Sequence, residues 1–267
     1  MSVVALDRPA GRLRSSTPAL SALLALSQGV PPEALHEDDV ATLRDAGVLH
    51  AEGIDDALTG LLAGISTAAV RIELAVVRTG GQELHRVWAA DGTATLAAQV
   101  GEDTYDLLAV APPLVVPTLA RLIALGPRPL LTGDVVDVAE DTVVALVGRE
   151  RAFAANALLE VVPDGWQAAV DDVRAGRVRR HGLAALWVDP AGRPAGRRFS
   201  LLDTPHGLAE VVALEEGRSG LRPVRSTEVW SMLVELLPAD DEIAADSDVS
   251  PVVPVPSAPG TDPEASA

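Results

Sequence analysis

Val70-Arg71-Ile72-Glu73-Leu74-Ala75-Val76 sets large apolar residues at every second position, with Arg71, Glu73 and Ala75 between them. That two-residue period predicts a strand with one polar face. Working outward, Gly80-Gly81 turns the chain, and the stretches 84–89 and 93–100 flank Asp91-Gly92, a dipeptide suited to a tight hairpin. A fourth strand runs from Tyr105 to Val110 after Gly101-Glu102-Asp103. Pro112 and Pro113 end it, and residues 114–125 carry apolar side chains at helical spacing.

The same order recurs further along the chain. Leu183 to Val188, Phe199 to Asp203, Leu208 to Leu214 and Leu221 to Val224 predict four more strands. Ser226 then caps a helix with Glu228 in its first turn and Val229, Met232, Leu233 and Leu236 on its inner face. The predicted fold class is therefore α/β in the broad α+β sense. A mostly antiparallel sheet is built from two quasi-twofold ββββα halves, residues 69–125 and 182–237, and flanked by helices.

The connection 126–181 reads as helical. Val135 to Val147 and Ala152 to Val162 carry apolar patterns, and a third helix starts at Asp164 with Trp166, Val170 and Val173 inward until Gly176 stops it before Arg177 to Arg180. Before the first half, Thr17 caps a helix beginning at Pro18, and Glu37 to Ala46 and Asp55 to Leu62 predict two more. Residues 1–16 are expected to be a flexible N-terminus and 17–238 the folded body. Arg8, Arg12 and Arg14 ahead of the run from Ala19 to Leu26 resemble a secretory leader, but that run is short and contains Ser21, which favours the helix. Residues 239–267 hold seven acidic residues, five prolines and no basic residue, and are expected to form a disordered acidic tail.

Composition removes whole chemistries. All 21 basic residues are Arg, Cys is absent and the formal net charge is −17. There is thus no lysine for a Schiff base or P-loop and no thiol nucleophile or thiolate metal site. An acidic chain of this kind argues against nucleic acid as a partner. No apolar segment approaches a membrane span. Nor do His36, His50, His85, His181 and His206 form a close ligand pair, so no metal or cofactor is expected. Asp203 and His206, with His181, are the residues an enzymatic reading would use as base and orienting carboxylate. No nucleophile accompanies them, and Asp203-Thr204-Pro205-His206-Gly207 has the composition of a turn. Residues 37–50 carry the alternative of a nucleic-acid-associated regulator, which the surrounding acidity opposes. The carboxylate clusters Glu37-Asp38-Asp39, Asp171-Asp172 and Glu215-Glu216 read as solvated faces.

Aromatic residues are only 3% of the chain, so each is worth placing. Core packing is expected for Tyr105, Trp166, Trp187, Phe199 and Trp230. Trp88 is either core or, if its sheet face is open, an anchor for another molecule. With Leu84 and Arg86 it makes the candidate partner-binding set.

The segment order over residues 17–238 resembles the EspG-type chaperones of actinobacterial type VII secretion. Three stretches carry the resemblance: residues 43–49 followed by Gly53 to Leu58, the basic run from Arg174 to Arg180, and residues 199–207, Phe-Ser-Leu-Leu-Asp-Thr-Pro-His-Gly. The family pattern often continues Arg-Tyr where this chain has Leu208-Ala209. The resemblance implies a cytoplasmic, non-enzymatic chaperone or adaptor, monomeric or weakly self-associating. It would hold the helical tip of a PE–PPE-type secretion substrate and keep it soluble.

Overall fold

A computed structural model describes residues 3–244. Thirteen strands and eight α-helices are formed among them, eleven of the strands in one sheet. β1 (Val4–Asp7) and β2 (Arg12–Ser16) come first, then α1 (Thr17–Ser27) and α2 (Glu37–Asp45). A small hairpin follows, β3 (Leu49–His50) and β4 (Gly53–Ile54), and then α3 (Thr59–Ser66). The first predicted half follows as β5 (Val70–Arg78), β6 (Gly81–Ala90), β7 (Thr93–Gly101), β8 (Thr104–Val110) and α4 (Val115–Leu122). Next come β9 (Val136–Ala139), α5 (Glu140–Ala145), α6 (Arg151–Leu159) and α7 (Gln167–Arg174). The second half closes the body as β10 (Arg179–Val188), β11 (Pro194–Thr204), β12 (Gly207–Ala213), β13 (Arg218–Val224) and α8 (Ser226–Leu236).

The large sheet runs β1-β2-β8-β7-β6-β5-β10-β11-β12-β13-β9, with every neighbouring pair antiparallel. The two meanders meet at β5 and β10, where Ile72, Leu74 and Val76 stand opposite Ala185, Leu183 and His181. An antiparallel central pair with four-stranded meanders running outward on both sides has the symmetry of a twofold axis through its middle. At the β6–β7 hairpin, Asp91-Gly92 is a two-residue loop, and only Gly92 adopts a left-handed φ, +71°. That position favours glycine because a Cβ is strained there.

Three expectations change. Residues 136–139, predicted as part of a helix, are strand β9, which pairs with β13. Val136 and Val138 face the core on either side of exposed Asp137, a period too short to distinguish from a helical pattern without knowing its partner. Residues 4–16 are not a loose N-terminus: β2 pairs with β8, and Leu13 is fully buried. Arg14 donates to Asp106 at 2.7 and 2.9 Å and Arg12 also pairs with it, so these arginines secure a sheet edge. The Arg14 hydrogen bond, helped by Arg12 and opposed by burial, holds the Asp106 carboxyl below its ordinary value. Finally, the expected tail does not begin at 239. Asp240–Glu242 form a 3₁₀ turn, Arg197 holds Glu242 at 2.5 Å, and Ala244 N donates to Val188 O at 3.0 Å. The rest of that expectation, from residue 245, lies outside the described residues.

With β9 recognised, the repeated unit is longer than two ββββα halves. β2, three helices, four strands and α4 match β9, three helices, four strands and α8. Each leading strand lies antiparallel beside the last strand of its own meander, β2 on β8 and β9 on β13. The segment 126–181 therefore contains the front of the second unit.

Candidate docking face

The alternation that predicted β5 gives the sheet two different faces. One face carries Ile72, Leu74, Val87, Leu96, Leu183 and Ala185 under α4 and α8, whose Leu119, Val229 and Leu233 are fully buried there. On the other face only the flanks are covered. α1, α2 and α3 pack over Trp88, Ala97, Tyr105 and Leu107, and α5, α6 and α7 pack over Leu202, Ala209 and Leu221. Between these helical caps the middle strands are left open.

Small residues floor this opening: Ala75 of β5 stands opposite Gly182 of β10, which stands opposite Ser200 of β11, with Ala184 beside them. Leu84 pairs with Ala75, and Glu140, Val143 and Val144 of α5 form one wall. The concavity holds about 640 Å³. Val144 on its rim is 53% exposed, apolar surface without an internal partner. Charge is concentrated around the floor. Arg71 and Arg86 both lie against Glu73, Arg86 at 3.7 Å. Arg180 reaches only Ser200 Oγ, at 3.4 Å, and neither Arg180 nor Arg198 has a carboxylate partner among the described residues. The hollow thus carries charges of both signs, Arg180 and Arg198 beside Glu73, Glu140 and Glu210, the last of these paired with Arg222.

Of the three residues proposed for partner contact, Leu84 and Arg86 are half-buried on this open face. Trp88 is corrected: it is 8% exposed, packed under the N-terminal cap. α3 sits over that part of β6, and this tertiary contact decides which of the two readings of Trp88 holds. Tyr105, Trp166 and Trp187 are buried, and Phe199 is half-buried against the central core. Trp230, expected inside, is 43% exposed, because the inner face of α8 falls on Val229, Leu233 and Leu236 instead. Ser226 is the first helical residue of α8 and not its cap. Its hydroxyl donates to Gly126 O at 2.6 Å, while Glu228 accepts from the backbone N–H of Arg225 at 2.5 Å.

The Asp203 and His206 pairing does not form. Residues 203–207 make the tight β11–β12 hairpin, with Thr204 opposite Gly207, which carries the two side chains to different neighbours. Asp203 meets Arg128 at 3.1 Å and buried His181 at 3.6 Å. The His206 ring lies 2.8 Å from Asp172, which also accepts from the His206 N–H at 3.2 Å and from Arg177 at 2.7 and 3.0 Å. Asp172 is a fully buried carboxylate joining α7 to this hairpin. Burial alone would raise its pKa; His206 and Arg177 together outweigh that and hold it below the ordinary value. The residues 37–50 of the regulator reading form α2 and β3, with Glu37, Asp38 and Asp39 in the first turn of the helix, an arrangement that repels phosphate. Among the described residues no group of three or more His, Cys, Asp or Glu is placed to hold a metal ion, and no helix is long and apolar enough to cross a membrane.

No protein-family model and no curated protein matches this sequence. Among solved structures, the chain is similar to the type VII secretion system chaperone EspG5 of Mycobacterium tuberculosis, determined in complex with a PE25–PPE41 dimer. The similarity has a TM-score of 0.58 at 11% identity and covers 87% of this chain and all of that one. At that identity the likeness concerns architecture: this chain has the fold of the EspG5 chaperone, a large antiparallel sheet flanked by helices.

Proposed function

We propose that the chain is a non-enzymatic cytoplasmic chaperone that docks the helical tip of PE–PPE-like type VII secretion substrates in the open middle of its sheet. The observation that carries this reading is the bare floor between the two helical caps, in a fold shared with a chaperone solved bound to a PE25–PPE41 dimer. A floor of Ala75, Gly182, Ala184 and Ser200 admits the end of a helix closely. Leu84 and Val144 supply apolar contact, and the arginines supply polar contact at the rim. Covering an apolar helix tip prevents its self-association, and an acidic body keeps the complex dispersed.

Co-expression with a PE–PPE pair tests the proposal. A stable complex should co-purify, and Ala184→Arg, which fills the open floor without touching the buried face, should abolish it while leaving thermal unfolding unchanged. Failure to recover the pair, or full recovery with Ala184→Arg, overturns the reading.

A further inference from the structure

Four arginines converge at one end of the sheet, away from the open hollow. Arg78 closes β5 and Arg179 opens β10, and the two stand directly opposite each other in the central strand pair. Like charges facing each other across strands repel, so this pairing is unfavourable unless an anion lies between them. Asp203, which stands opposite Arg179 on its other side, does not fill that role. Its carboxylate meets Arg128 at 3.1 Å and His181 at 3.6 Å, and makes no ion pair with Arg179. Arg128, from the loop after α4, and Arg177, just ahead of β10, complete the group. Gly176 ends α7 with a left-handed φ of +71°, and the Thr79 hydroxyl donates to its carbonyl at 3.4 Å, which brings the α7–β10 connection against the end of β5. Between these elements lies a cleft of about 380 Å³, within the range of small-molecule sites.

Four guanidiniums and one carboxylate, Asp203, line the cleft. Three of the arginines hold a carboxylate: Arg128 holds Asp203, Arg177 holds Asp172 at 2.7 and 3.0 Å, and Arg78 holds Glu83. Arg179 holds none among the described residues and is the uncompensated cation. Its paired neighbours keep donors to spare. Arg177 uses Nε and Nη2 on Asp172 and Arg78 uses Nη2 on Glu83, whereas a guanidinium carries five N–H groups. Guanidiniums converging from separate elements match the oxygens of a phosphoryl group, which accepts paired N–H bonds from each fork. No aromatic side chain lines the cleft for a base to stack on, and the net charge of −17 opposes a long polyanion such as nucleic acid. We propose that this cleft binds the phosphoryl group of a small soluble phosphate compound. Arg179 and Arg78 are its principal ligands, Arg177 donates from the side, and Arg128 is held in the wall by Asp203. The cleft shares no lining residue with the open hollow.

Inorganic pyrophosphate, titrated into the full chain in a phosphate-free buffer at about 100 mM sodium chloride, tests the proposal. The amide signals of Thr79, Val178, Arg179 and Thr204 should shift saturably, with half-saturation below about 1 mM, while those of Ala75, Gly182 and Ala184 in the hollow stay fixed. The thermal midpoint should rise with pyrophosphate concentration. Arg179→Gln removes an exposed charge and should raise the half-saturation concentration about tenfold or more, with the signals of the buried core unmoved. Without pyrophosphate the same variant should unfold no earlier than the parent, because it relieves the repulsion from Arg78. Arg198→Gln, which removes a cation of the hollow, should leave pyrophosphate binding unchanged. Absence of saturation up to about 10 mM, shifts reproduced by sodium chloride at matched ionic strength, or half-saturation unaffected by Arg179→Gln each overturn the proposal.

Discussion

Asp172 shows how much one carboxylate can hold together here. Fully buried, it takes hydrogen bonds from the His206 backbone and ring and from Arg177, and so ties α7 to the β11–β12 hairpin. Asp172→Ala should leave these donors unsatisfied and lower stability by about 2–3 kcal/mol, a figure discounted because Arg177 and His206 are partly in solvent. Denaturant titration checks it. His85 makes stability depend on pH in a milder range. Buried against the central core, its imidazole is held below the ordinary value of 6.5 by desolvation. Below pH 6.5 the unfolded chain therefore binds a proton that the folded chain resists. The stability associated with His85 is intact above 6.5 and declines as pH falls below it, by at most about 1.4 kcal/mol per pH unit. The unfolding midpoint measured between pH 7 and about 5 should fall, and His85→Leu should flatten that slope. Asp106 and Asp172, whose values are lowered, lose their contributions only in the more acidic range, below the ordinary carboxylate value. Gly207 is constrained by space: a Cβ there would stand 2.3 Å from Leu131 of the second-half core. Gly207→Ala should cost about 1–3 kcal/mol by overpacking, read as a lowered thermal midpoint.

Among the elements, the two leading strands matter most because they terminate the repeated units. β2 has one inward residue of size, Leu13, and depends on Arg12 and Arg14 gripping Asp106 on β8. Arg14→Ala should change global stability little, since the guanidinium is half in solvent and its ion pair is screened. Its visible effect should be faster hydrogen exchange at Leu6 and Leu13, with β5 and β10 unchanged. The same balance explains why these strands are hard to see in a sequence. Arg12-Leu13-Arg14 and Val136-Asp137-Val138 are each too short to display a period, and they become strands because β8 and β13 offer unpaired backbone groups to them. Long elements carry their own signal. β5, with four buried residues in strict alternation, is legible unaided.

The halves of the molecule share their core. Leu74 and Leu183 face each other across the central strand pair, and α4 and α8 cover both from the same side. Leu74→Ala should cost about 2–5 kcal/mol. Because the cluster spans both units, amide exchange should accelerate together in β6 and in β11, whereas independent halves would confine the change to β6. The open middle on the reverse side follows from the same arrangement. Each unit brings helices for its own outer strands, and where two units join back to back neither supplies a helix for the seam.

The amino-acid sequence by itself determined the two meanders, their antiparallel character, most helices and the removal of lysine and thiol chemistry, because strand alternation, turn residues and composition are local properties. It also made the Asp203 to Gly207 stretch legible as a turn, since Pro205 and its neighbours act on their own backbone. The tertiary structure alone decided that Trp88 is buried, that Trp230 is half outside, that His206 joins Asp172 and not Asp203, and that Leu84 and Arg86 border an open floor. Alternation tells which residues share a face of a strand. Which face a helix from elsewhere in the chain will cover is fixed only when distant segments compete for the same apolar surface.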